Sequence, residues 1–135
     1  MPGDLTNNFS RWEFACKDLC GLDCPDRAFV DHLQAFRNHV GVPVHVNSGC
    51  RCEAYQKDML RRGYKPSPNS KHLLSLAADI VVDGLSPVQV ACIAWRLGFR
   101  GVKAGGTYTH VDDRTGPRWY EGFALGESPE SARSL

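Results

Sequence analysis

Three side chains stand out for the chemistry their types and spacing allow. His72 and Asp79 lie seven positions apart in SKHLLSLAADIVVD, and His110 follows in TYTHVDD. Asp79 interrupts the apolar run AADIVV, where a carboxylate is costly to bury unless something compensates its charge. His110 alternates with Thr109 and Val111 in a second strand-like segment. Two imidazoles and one carboxylate form a recurrent zinc set whose fourth position stays open to water. An ion held this way brings the pKa of water down to about 7 and supplies a nucleophile at neutral pH. The same donors suit other divalent metals. A turn cap or an arginine partner would also account for Asp79, leaving both histidines at the surface.

The elements that must position these residues can be read from hydrophobic periodicity. Phe29, Leu33, Phe36 and Val40 recur at spacings of three and four, which predicts an amphipathic helix over 27–40. Val42, Val44 and Val46 alternate with Pro43, His45 and Asn47, the period of a half-buried strand. A second helix is expected over 53–62, closed by Gly63, and a loop over 64–70. Residues 77–82 read as a strand. Ser86, Pro87 and Gln89 form a helix start with a capping box, and that helix runs to Gly98. Short strands follow over 99–103, 107–112 and 118–120. This interleaving predicts an α+β fold, one compact domain with a mostly antiparallel sheet and flanking helices. The domain is expected to span 9–122, with flexible ends at 1–8 and 123–135.

Composition narrows the function classes. The 135-residue chain is long enough for a hydrophobic core. Its formal net charge of +1 makes no electrostatic case for nucleic acid or an anionic membrane. No stretch has the apolar length of a membrane span, and the first residues lack the basic-then-apolar order of a secretory signal. A monomer is expected. Six cysteines are many for this length. Cys16, Cys20 and Cys24 are separated by three residues each, Cys50 and Cys52 flank Arg51, and Cys92 shares a helical stripe with Val88, Ala91 and Trp95. The first three are candidates for a second, thiolate-bound ion, although their spacing is not that of a CxxC knuckle. Disulfides formed in an oxidising exterior and free thiols remain open alternatives. Cys92 reads as a small core residue.

Taken together, these residues carry a resemblance. SKHLLSLAADI resembles the SxHxxGxAxD signature of the zinc D-Ala-D-Ala carboxypeptidases, peptidase family M15, and HVD in YTHVDDR resembles the segment with that family's third ligand. VNSGCR resembles its SGxR segment, while FSRWEFACKDLCG and GPRWY are similar to the small branch that includes murein peptidases and phage lysins. The resemblance covers about residues 9–120 in one order. It implies that His72, Asp79 and His110 hold one catalytic zinc. It implies that Arg51, an always-charged forked donor, stabilises an oxyanion or grips a substrate carboxylate. Ser70 would support the His72 loop. Read from residue type alone, Tyr108, Trp119 and Tyr120 either line a substrate groove or pack in the core. The implied activity is hydrolysis of an amide in peptidoglycan stem peptides or cross-links, as in a phage endolysin or another wall-degrading enzyme.

Two departures bear on that reading. Ser75 stands where the signature has glycine. Thr107 stands three residues before the third ligand, where several branches of the family place an acid. Asp112, on the same strand face as His110, is the nearest acidic substitute. It would act as the general base or orient a ligand from behind. A zinc-stabilised wall-binding module without turnover, or a structural virion protein, are the rival readings. Of the other histidines, His32 and His39 are expected to be solvated, and His45 points with Asn47 away from the valine face.

Overall fold

Local sequence sets the ends of the two helices found among the described residues. The computed structural model describes residues 3, 5–14, 26–49 and 76–130. Helix α1, Arg27–Val40, begins where the Asp26 carboxylate accepts the backbone N–H of Phe29 at 2.9 Å, the usual task of a helix cap. It ends at Gly41, whose φ of 71° closes the last turn in the left-handed conformation that glycine adopts freely. Helix α2, Pro87–Arg96, starts with the expected capping box. Ser86 Oγ accepts from Gln89 N, and Gln89 Oε1 accepts from Ser86 N. Its buried residues run without a break from Val90 to Trp95, and Cys92 among them is a free, buried thiol. The helix expected over 53–62 and the loop over 64–70 lie outside the described residues.

Among the described residues, five strands form one sheet: β1 Val44–Ser48, β2 Ala77–Val82, β3 Gly101–Ala104, β4 Thr109–Asp112 and β5 Trp119–Glu121. Their order is β1-β2-β4-β3-β5, antiparallel except where β5 joins β3 in parallel. This is the α+β architecture expected from the sequence. Where the boundaries differ, they do so by one or two residues, for local reasons. Gly105 donates to the Tyr108 carbonyl at 2.9 Å, so 105–108 make the β3–β4 turn and β4 starts at Thr109. The first strand begins after Pro43 and continues past an irregularity to Ser48.

Alternation along the strands sorts the sheet into two faces. Ala78, Ile80, Val82, Val102 and Val111 point into the core with Phe29, Leu33 and Phe36 of α1, Val90 and Ala94 of α2, and Phe99. Phe99 is a hub of edge-on aromatic contacts. Its ring centroid lies 6.1 Å from that of Phe29 and 6.2 Å from that of Phe36. Phe9, just before the 3-10 turn Arg11–Phe14, and Phe14, its last residue, are fully buried in the same core. The chain beyond β5 returns to the domain: Phe123 packs on the core, and Trp95 Nε1 donates to Glu130 Oε1 at 3.0 Å.

His32 departs from the expected solvated state. Its ring stacks on Phe99 at 3.8 Å, with Nδ1 2.8 Å from Asp113 Oδ1 and Nε2 2.7 Å from the Leu97 carbonyl. Both partners are acceptors, so only the doubly protonated ring can donate to both. The Asp113 carboxylate is the main cause holding its pKa above 6.5, helped by the carbonyl and opposed by burial, since hydrogen bonds to the charged form favour it. His39 and His45 are exposed, as expected, and His45 pairs with Asp83 at 2.9 Å on the surface.

Candidate active site

The face of the sheet turned away from α1 and α2 carries the polar residues. Antiparallel pairing places Ser48 opposite Asp79, Asp79 opposite His110 and His110 opposite Lys103, and the parallel pair adds Glu121 opposite Lys103. One polar side chain from each strand thus forms a row straight across all five. At its centre, on the neighbouring interior strands β2 and β4, Asp79 Oδ1 lies 3.3 Å from His110 Nδ1. Both side chains are only 13% exposed. Asp79 is therefore no turn cap: it faces an imidazole across a strand pair.

The other side of the His110 ring is held from behind. Asp112 lies two residues further along β4, and alternation puts it on the same face. It is fully buried, and its Oδ2 lies 2.7 Å from His110 Nε2. Arg114 closes on the same carboxylate. Its Nε donates to Oδ1 at 2.9 Å, Nη2 to Oδ2 at 2.7 Å, and its backbone N–H to Oδ1 at 3.1 Å. Burial alone would push the Asp112 carboxyl up; His110 and Arg114 outweigh it and hold the group far below the usual carboxylate range. Burial likewise disfavours a charged His110, but the carboxylates of Asp112 and Asp79 on its two edges raise its pKa above 6.5. In both groups, contact with opposite charge overcomes desolvation.

Two neighbours make room for this arrangement and cover it. Gly101 sits opposite Asp112, and a Cβ there would collide with both Asp112 carboxylate oxygens and with Arg114 Nε. Trp119 stands opposite Gly101 on β5. Its ring lies over the Arg114 guanidinium at 4.7 Å, within the range of a cation–π contact. The same ring meets His110 edge-on, 6.1 Å between centroids.

The donor geometry fits a metal ion. Two donors on a tetrahedral zinc, at about 2.0–2.2 Å from it, stand about 3.4 Å apart. That is close to the 3.3 Å between Asp79 Oδ1 and His110 Nδ1. Nε2 faces Asp112 and Nδ1 faces Asp79; a carboxylate on the far nitrogen is the pattern seen behind metal-ligating imidazoles. No three His, Cys, Asp or Glu side chains converge as a metal group among the described residues. His72, Arg51 and Ser70 lie outside the described residues, as do Cys16, Cys20 and Cys24. What leads towards Arg51 is described: Gly49 is buried where a Cβ would come within 2.7 Å of Phe14 Cα, so the 3-10 turn packs directly on its backbone.

Of the remaining candidates, Tyr108 is half-buried beside Gly105 and lines a small hollow with Ile80, Val82, Leu85 and Val90. Thr107, in the turn, is exposed. Tyr120 packs edge-on against Trp95 and Phe123. Sequence reasoning misses Arg114 and Gly101. A signal for Arg114 exists: in an extended chain His110, Asp112 and Arg114 alternate onto one side.

Comparison with known families identifies the class. The Peptidase M15 family profile matches residues 7–112, which include Asp79, His110 and Asp112. The chain belongs to the peptidase M15 family, whose members are typically zinc-dependent. A search of curated proteins found no match. No helix among the described residues is long and apolar enough to cross a membrane.

Proposed function

We propose that the protein is a zinc-dependent peptidase that hydrolyses amide bonds in peptidoglycan stem peptides or cross-links, acting on the cell wall as a monomer in the manner of an endolysin. The observation that carries this is the 3.3 Å approach of Asp79 Oδ1 to His110 Nδ1, with the opposite nitrogen tied to a buried carboxylate. His72, Asp79 and His110 would hold the ion, which when bound supplies a Lewis acid for the scissile carbonyl and an acidified water.

The chain's own residues do the rest. Asp112 fixes the plane of the His110 ring through the 2.7 Å contact at Nε2; with an ion held by Nδ1, the ring proton would stay at Nε2 against that carboxylate. It is an orienting partner rather than the proton acceptor of catalysis, because both its oxygens already accept hydrogen bonds and none of its surface is open. Arg51 would offer a forked cation to the developing oxyanion or to a substrate carboxylate. Lys103 and Glu121, 3.3 Å apart at the open end of the row, present one charge of each sign to a peptide lying across the sheet.

Purified protein incubated with labelled sacculi, with and without a chelator, tests the proposal: chelator-sensitive release of free amines is expected. The exposed Thr107, at the position of an acid, favours a second reading, a zinc-stabilised wall-binding module without turnover. Tight binding to sacculi without amine release would establish that reading instead.

A further inference from the structure

Arg114 lies beyond the residues matched by the family profile, yet the geometry behind His110 converges on it. We propose that Arg114 is the positioning residue of the metal site. Its guanidinium fork locks both oxygens of Asp112, so that Asp112 can hold His110 in only one ring orientation. This inference rests on the zinc-peptidase reading and adds to it a residue that touches neither ion nor substrate.

The argument is one of constraint. A carboxylate at the end of a strand can rotate about its own bonds, and a single hydrogen bond from His110 would not stop it. Arg114 supplies two side-chain donors in one plane, 2.9 Å to Oδ1 and 2.7 Å to Oδ2, with the backbone N–H as a third at 3.1 Å. Planar two-point contact fixes orientation as well as position. The guanidinium is itself held against the ring of Trp119, which meets the His110 ring nearly at a right angle. Gly101 on β3, with no side chain, leaves this space open. Such a construction is more than neutralisation of a buried charge requires; a lysine would neutralise Asp112 without fixing its plane.

The test compares wild type with Arg114→Ala and Arg114→Lys in the full chain. Thermal unfolding reports folding, competition with a chromophoric chelator gives zinc affinity, and the visible spectrum of the cobalt-substituted protein reports ligand geometry. Nitrogen-15 NMR of the zinc-loaded protein shows which His110 nitrogen keeps its proton. Loss of an outer-shell partner weakens metal binding by about 10–100-fold. Arg114→Ala is expected to fall in that range, with a changed cobalt spectrum and mixed His110 tautomers. Arg114→Lys should restore the melting temperature more than it restores zinc affinity. Should Arg114→Ala not fold, the lysine variant carries the comparison alone.

Zinc affinity, cobalt spectrum and tautomer all unchanged in a folded variant would overturn the proposal. So would losses in zinc affinity that follow the melting temperature in both variants, since that marks a purely structural ion pair. If the wild-type protein binds zinc no more tightly than Asp79→Asn does, the zinc reading itself fails, and this control shows it before any Arg114 variant is measured.

Discussion

The two faces of the sheet are built from the same strands and have opposite contents. On one, Ala78, Ile80, Val82, Val102 and Val111 are sealed under two helices and a cluster of phenylalanines. On the other, Ser48, Asp79, His110, Lys103 and Glu121 follow one another across the strands. Asp79 sits between Ala78 and Ile80, and His110 directly precedes Val111, so polar and apolar neighbours part to opposite sides. The difference shows how a small domain can carry a polar site without sacrificing its core. The period of two hands alternate residues to separate tasks, and a one-residue slip of β2 against β4 would ruin both at once.

This contrast can be broken from either side. Phe99→Ala, on the helix-backed face, removes the hub of the aromatic cluster and should cost about 3–5 kcal/mol in denaturant unfolding. Activity per folded molecule should be preserved, provided the assay is run well below the midpoint. His110→Ala on the other face should lower amine release from sacculi by more than the roughly 100-fold that loss of an outer partner can cost. Circular dichroism would show its secondary structure unchanged. Gly101→Ala should affect both faces, since the added Cβ meets Asp112 and Arg114. A loss of about 1–3 kcal/mol is expected from overpacking, accompanied by weaker zinc binding in a chelator titration.

Smaller effects sharpen the same picture. His32 ties α1 to the segment just after β4, and its pKa is raised by folding. Its contribution to stability is therefore complete below the unfolded value of 6.5 and is lost as pH rises through the higher folded value. The difference in unfolding free energy between wild type and His32→Gln should shrink across that window; a difference independent of pH would exclude the charged ring. His45 forms an exposed pair with Asp83. Replacing it by alanine should change stability by no more than about 0.5 kcal/mol, the usual scale for surface substitutions.

How much of this the sequence announces depends on the range of the interaction. Helix ends are legible because Asp26, Ser86, Gln89 and Gly41 act on backbone groups within four residues. Asp79 is legible as an anomaly, a charge within AADIVV, and its proximity to His110 follows from the family motif. Pattern alone does not show that the two face each other. β2 pairs with β4 across an intervening helix and strand, and nothing in either segment encodes that register. His32 escapes such reasoning because its partners, Leu97 and Asp113, are 65 and 81 residues away. The role of Gly101 depends on knowing what lies opposite it, which only the assembled sheet reveals.

β4 is the middle strand of five, flanked by β2 and β3, and neither chain terminus nor sheet edge belongs to it. Its amide hydrogens should exchange with solvent only when the whole domain opens, because fraying begins at edges and loops. Asp79 and His110 therefore stay in register for as long as the protein remains native, and heat should separate them in the same cooperative event that melts the rest.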